Sequence, residues 1–303
     1  MKLETLKKEV WWANAHLPEE NPITTTWGNV SGIDREEGLI VTRPDGIPHR
    51  ELQLEHMVVV DQKGNTVEGR LRPFPDILTH CILYQHFPEI GSIAHTYSSF
   101  ACVWAQAGFG IPCLGVIHAH CFRGTIPCTR ALTTEEMKEN YQHSVGKVIV
   151  ERFHLLDYRE IPGVLVAYHG PFTWGQYPRE ALYHSVVLEE VAKTTYFALL
   201  FNPKRKPVPP ALLRQPLFPS YDLSVYSKER LSTSYKTLKL AGNKVEAELI
   251  RGHLENEGIG VILKPSTFPY GGEAYFGDTG PFEIQVPEER LLDAQRIIAD
   301  LEK

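Results

Sequence analysis

Residues 86–98 read HFPEIGSIAHTYS. The run Ile90 to His95 follows a proline, is short and mostly apolar, and reads as a buried strand that carries a histidine at its end. A second run, Gly163 to Ala167, leads into Tyr168 and His169, so the same arrangement occurs twice. Leu39 to Thr42 and Met57 to Val60 are further strand-like runs. Between and around them, Thr79 to Phe87 and Pro178 to Leu200 carry helical patterns. This mixture predicts a sheet covered by helices, with strand directions left open.

Outward from that region the composition changes after Phe201. The stretch from Asn202 to Pro219, NPKRKPVPPALLRQPLFP, is rich in prolines, which lack a backbone donor and favour extended conformations. It predicts a linker over 202–234 between a domain at 1–201 and a smaller one at 235–303. In the tail, Lys236 to Ala241 reads as a strand. Asn243 can cap a helix over Lys244 to Asn256, with Glu246 completing a capping-box-like start and Gly258 as the stop. A strand at Ile259 to Lys264, a Gly-rich turn at Tyr270 to Gly280, a strand at Phe282 to Val286 and a helix from Pro287 to Leu301 complete a small α+β domain.

The 303 residues are 43% hydrophobic and 22% charged, within the range of globular proteins, and the formal charge is −6. No basic block is present, so neither nucleic acid nor an anionic membrane is an expected partner. The opening MKLETLKKEVWWANAHLP is an amphipathic helix pattern without the apolar core of a signal peptide, and no run approaches the length of a membrane span. Five cysteines without a CxxC pair read as reduced thiols, which makes the cytoplasm the expected location.

Four segments gather reactive side chains in apolar surroundings: TWGNVS (26–31), PDILTH (75–80), IAHTY (93–97) and YHGPFTWG (168–175). Imidazole is a common ligand of zinc and similar ions, and rigid strand ends would hold His95 and His169. Asp76 reads equally as a site carboxylate or as a helix N-cap. His118 and His120, in IHAHCF, would share a face if that segment were a strand. They could then be ligands, an acid/base pair or hydrogen-bonded core imidazoles. Gly28, Gly46 and Gly170 can be explained by backbone conformation alone.

In order and spacing, TWGNVS, HFPEIGSIAHTYS, WAQAG (104–108), RGTIPCTR (123–130), HGPFTWG and VLEEVA (187–192) resemble the class II aldolase family, and within it the bacterial L-ribulose-5-phosphate 4-epimerases. The resemblance spans roughly residues 3–200. It implies a three-layer α/β/α domain around a largely antiparallel sheet, and a divalent ion, zinc in type, held by three histidines. It also implies a homotetramer with active sites between subunits. The implied activity is epimerisation of a sugar phosphate by retro-aldol cleavage and re-addition through an enediolate. By position, His95 and His169 match metal ligands, Asp76 the acidic residue beside the metal, and Asn29, Arg43 and Gly46 substrate-phosphate positions. Tyr97 stands where a histidine ligand is expected, and His120 where the family has its catalytic aspartate.

The tail resembles small prokaryotic signal-transducing domains of ferredoxin-like α+β build, through KVEAELIR and LENEGI within Lys244 to Ile259. The departures fall on the site. Tyr97, His118 and His120 are all candidates for the third ligand. Phe74 and Pro75 replace a serine pair, and Asp45 replaces a serine, which weakens recognition of a phosphate. Two functions are therefore compatible with the sequence: a metal-dependent epimerase or aldolase, and a non-catalytic oligomeric binding module.

Overall fold

The computed structural model describes residues 3–20, 27–213, 235–265 and 282–301. The chain divides into two compact units, Met1–Ser227 and Lys228–Lys303. In the first unit, helix α1 (Leu3–Glu20) precedes strands β1 (Asn29–Asp34), β2 (Leu39–Thr42), β3 (Val58–Val60) and β4 (Thr66–Glu68). Then come α2 (Ile77–His86), β5 (Ser92–His95), α3 (Ser99–Ala107), α4 (Val116–Cys121) and α5 (Thr134–Arg152). Strands β6 (Gly163–Val166) and β7 (Gly170–Gly175) and helices α6 (Pro178–Phe201) and α7 (Pro210–Leu213) complete it.

The seven strands lie in the order β4-β3-β2-β1-β5-β7-β6, and every pairing is antiparallel. Side chains alternate across this sheet as strand geometry requires. On one face, Ile33, Ile40, Val58, Val60, Ile93, Phe172 and Trp174 pack with Ile77 and Leu83 of α2 and Val145 and Ile149 of α5. On the other, Val41 and Val59 meet Leu6 and Val10 of α1, and Val30 and Ala94 meet Ala13 and Leu17 of α1 with Ala181 and Leu182 of α6. The result is the three-layer α/β/α architecture implied by the resemblance. Each fully buried side chain such as Leu83 or Ile93 contributes about 1.5–3 kcal/mol of transfer free energy. No helix among the described residues is long and apolar enough to cross a membrane.

Two local readings change. IHAHCF is not a strand: Val116–Cys121 forms the short helix α4, so His118 and His120, two apart, do not share a face. Its buried side, His118, Ala119 and Cys121, continues into Phe122, whose ring lies 5.9 Å from that of His184 on α6. Helix packing thus overrides an apolar/polar alternation only six residues long. Within the proline-rich stretch, α7 starts on Pro210, where a missing donor costs nothing, and Val208 N donates to Cys113 O at 2.8 Å.

The second unit is a three-stranded antiparallel sheet, β8 (Tyr235–Ala241), β10 (Phe282–Pro287) and β9 (Ile262–Pro265), in that order. Helices α8 (Lys244–Asn256) and α9 (Leu291–Leu301) pack on it through Ala247, Leu254, Ala294 and Ile298. Asn243 caps α8 by accepting from Glu246 N at 2.9 Å, while the Glu246 carboxylate accepts from Gly242 N at 2.8 Å. Gly258 follows the helix at φ +74°. The turn expected at Tyr270 to Gly280 lies outside the described residues.

Candidate metal centre

The alternation of β1 decides what faces α2. Asn29, Ser31 and Ile33 point to the α2–α5 side, and His95, paired in register with Asn29 on β5, points the same way. Ser31 Oγ lies 2.7 Å from His80 Nδ1 and 2.8 Å from the Tyr84 hydroxyl, so polar contacts on this face fix the position of α2. Asp76, at the first turn of α2, is thereby brought to the end of the sheet. His169 arrives from the turn joining β6 to β7, closed by His169 N donating to Val166 O at 2.9 Å. Its neighbour Tyr168 holds φ +63°, a left-handed conformation that costs an ordinary side chain energy.

Asp76, His95 and His169 each offer one ligand atom, and these atoms lie within 4.8 Å of one another. The two imidazole Nε2 atoms are 2.9 Å apart, and Asp76 Oδ2 is 3.8 Å from His95 Nε2. His95 is fully buried and its ring stacks on Phe172 at 4.0 Å. Its Nδ1–H donates to Pro171 O at 2.8 Å; a carbonyl can only accept, so the Nε2 lone pair is left facing the cluster. Burial pushes the Asp76 carboxyl up to about 6, against the pull of His169 and of hydrogen bonds from Asn29 and Gln142. Burial pushes His95 down to about 4. It also lowers His169, beside His95, to about 3. Two neutral imidazoles and a carboxylate ionised near neutral pH form a donor set that fits a divalent ion.

The expected site residues fall into three places. Asp76 does not use its side chain as a cap; its Oδ2 accepts from Asn29 Nδ2 at 2.9 Å. Tyr97 stands beside the cluster, with its hydroxyl 3.3 Å from His169 Nε2, and burial raises its pKa. Arg43 is 1% exposed and directs its guanidinium inward, to Gly28 O at 3.0 Å, His49 Nε2 at 2.6 Å and Ile47 O. It therefore organises the loop in which Gly46 sits exposed at φ +76°. Gly28 is needed where it is: at φ +88°, any Cβ would meet His95 O at 2.8 Å. His118 and His120 are not part of the cluster. His120 lines a separate cavity of about 550 Å³ with Glu89, Arg123, Arg159 and Glu160.

Two contributors were missed from sequence. Helix α5 breaks at Asn140, which is extended (φ −161°, ψ 98°), and Asn140 Oδ1 accepts from His143 N at 3.1 Å to start the helix again. The restart carries Tyr141, whose hydroxyl is 2.9 Å from His169 Nδ1, and Gln142, whose side chain reaches Asp76. One asparagine in a polar helical run, followed by a residue three positions on that it can cap, was the available signal.

The fold and this arrangement define a class before any individual relative is considered. The chain matches the family model described as Class II Aldolase and Adducin N-terminal domain over residues 8–196, and it belongs to that family. L-ribulose-5-phosphate 4-epimerase UlaF of Salmonella paratyphi B (strain ATCC BAA-1250 / SPB7) is 45% identical over 213 residues, covering 70% of this chain and 93% of the relative. The protein of the same name from Salmonella typhi matches to the same extent.

Among solved structures, an L-fuculose 1-phosphate aldolase is similar with a TM-score of 0.60 at 26% identity, covering 70% of this chain and 94% of that one. The enzyme of that name from Glaciozyma antarctica PI12 has a TM-score of 0.56 at 16% identity over 69% of this chain and 79% of its own, and shows the fold alone. Residues 235–302 match the model described as "Putative prokaryotic signal transducing protein".

Proposed function

We propose that this chain is a divalent-metal-dependent epimerase or aldolase acting on a sugar phosphate, with L-ribulose 5-phosphate as the first substrate to examine. The observation that carries this reading is the convergence of His95 Nε2, His169 Nε2 and the Asp76 carboxylate at the end of the sheet. The 45% identity to an L-ribulose-5-phosphate 4-epimerase supports it. His95, His169 and a third group, Asp76 or Tyr97, would hold the ion, zinc in the first instance. When bound, such an ion supplies Lewis-acid polarisation of substrate oxygens.

The chain's own residues do the rest. The buried Asp76 carboxylate, with its pKa raised to about 6, is ionised near neutral pH and positioned by Asn29 either to ligate or to accept a proton. Asn29 and the loop around Gly46, shaped from within by Arg43, bind the substrate's anionic end. The reaction breaks the C3–C4 bond and forms it again on the opposite face of the released aldehyde. His120, remote from the cluster within one chain, serves as the acid/base residue at a neighbouring copy's site in a homotetramer. The described cysteines are unpaired, in accord with a cytoplasmic setting.

The test is metal analysis of the purified chain joined to an epimerisation assay with L-ribulose 5-phosphate. About one divalent ion per chain and turnover abolished by a chelator support the proposal. Absence of metal in the wild type overturns it. Metal without turnover of any sugar phosphate moves the chain to the binding-module reading.

A further inference from the structure

A histidine can ligate through Nε2 only if its proton sits on Nδ1, and something must receive that proton. His95 solves this with the Pro171 carbonyl. At His169 the Nδ1 atom faces the Tyr141 hydroxyl, 2.9 Å away. The other nitrogen, Nε2, lies 2.9 Å from the bare Nε2 lone pair of His95. Two lone pairs at that distance repel, so without an ion His169 carries its proton on Nε2 and donates it to His95. Both lone pairs are needed once an ion is present. The His169 proton must then move to Nδ1.

A phenol suits both situations, because its hydroxyl can donate to a bare Nδ1 or accept from Nδ1–H. We propose that Tyr141 is a positioning residue of the metal centre: its hydroxyl oxygen accepts a hydrogen bond from His169 Nδ1–H and holds that ring in the tautomer whose Nε2 faces the ion. The inference rests on the metal reading of the cluster. Two features support it beyond the single contact. The Tyr141 and His169 rings lie nearly parallel, at 14° and 5.6 Å between centroids, which sets the ring orientation as well as the proton. The chain also interrupts an otherwise regular helix at Asn140, and caps the restart, at the point where Tyr141 meets His169.

Tyr141 is 39% exposed, so removing its hydroxyl does not empty the core. The experiment compares zinc affinity of the full chain and of Tyr141→Phe by competition with a chromogenic chelator. Removing an outer hydrogen-bond partner of a metal-bound histidine weakens binding about 10–100-fold, and that loss is expected here while the metal-free protein still unfolds in one cooperative transition. Nitrogen-15 spectra of the zinc-loaded chain provide a second readout. The His169 Nδ1 proton, protected in the wild type, is expected to exchange rapidly with water in Tyr141→Phe.

Asn140→Ala, which keeps the phenol but removes the cap, is expected to lose part of the zinc affinity. Zinc affinity of Tyr141→Phe within twofold of wild type, while His169→Ala has lost its zinc, overturns the role of Tyr141 and leaves the metal site standing. A wild-type chain that binds no zinc overturns both.

Discussion

Two segments place a histidine two positions before another polar ring: His95-Thr96-Tyr97 and His118-Ala119-His120. The first ends a central strand, where hydrogen bonds to both neighbours fix the register, and the sheet's alternation decides that His95 faces Asp76. The second folds as one and a half turns of helix, which bury His118 and leave His120 on another face. A histidine becomes a candidate ligand when rigid neighbours on two sides fix both its direction and its tautomer. Proximity of imidazoles in sequence is a much weaker guide.

Substitutions sharpen that contrast. The largest effect is expected from His95→Ala, which removes a ligand aimed by both a strand and a carbonyl: zinc binding should fall by at least about a thousandfold. His118→Ala should leave the metal stoichiometry unchanged, as measured by elemental analysis. Phe172→Ala removes the fully buried ring stacked on His95 and should lower stability by about 3–5 kcal/mol in denaturant unfolding. The metal-free protein is the species to compare.

Acid should reveal the other histidine as a core residue. Burial pushes the His118 imidazole below its ordinary value near 6.5, down to about 4. Below about pH 6.5 the unfolded chain takes up a proton that the folded chain refuses, so stability present above that pH is lost as pH falls toward about 4. The loss is on the order of 3 kcal/mol for this group, and His118→Leu should flatten that part of the pH–melting profile. The smallest effect is expected at Tyr168. Replacing it with glycine relieves the left-handed backbone and should raise stability by up to about 1 kcal/mol, with the zinc affinity of the adjacent His169 as the control.

These elements also show how far the sequence could be read. Leu39 to Thr42 is a strand with those limits, and the run ending in His95 is β5, because β-branched and apolar runs between turn residues have few alternatives. The antiparallel order was accessible through resemblance and not through pattern, since alternation does not encode which strands pair. Asp76 was ambiguous because a carboxylate before a helix can cap it or leave it; its partner Asn29, 47 positions earlier, decides. Tyr141 was illegible because its role depends on a helix break and on a histidine 28 positions away. The inward turn of Arg43 follows from acceptors on three separate residues, Gly28, Ile47 and His49.

The central claim is that His95, His169 and Asp76 surround one divalent ion. Anomalous X-ray diffraction at the zinc edge, on crystals grown with zinc, tests it most directly. The account predicts one strong peak per chain, about 2.0–2.2 Å from Nε2 of both histidines. A peak elsewhere, or none at this site with zinc in excess, would contradict it.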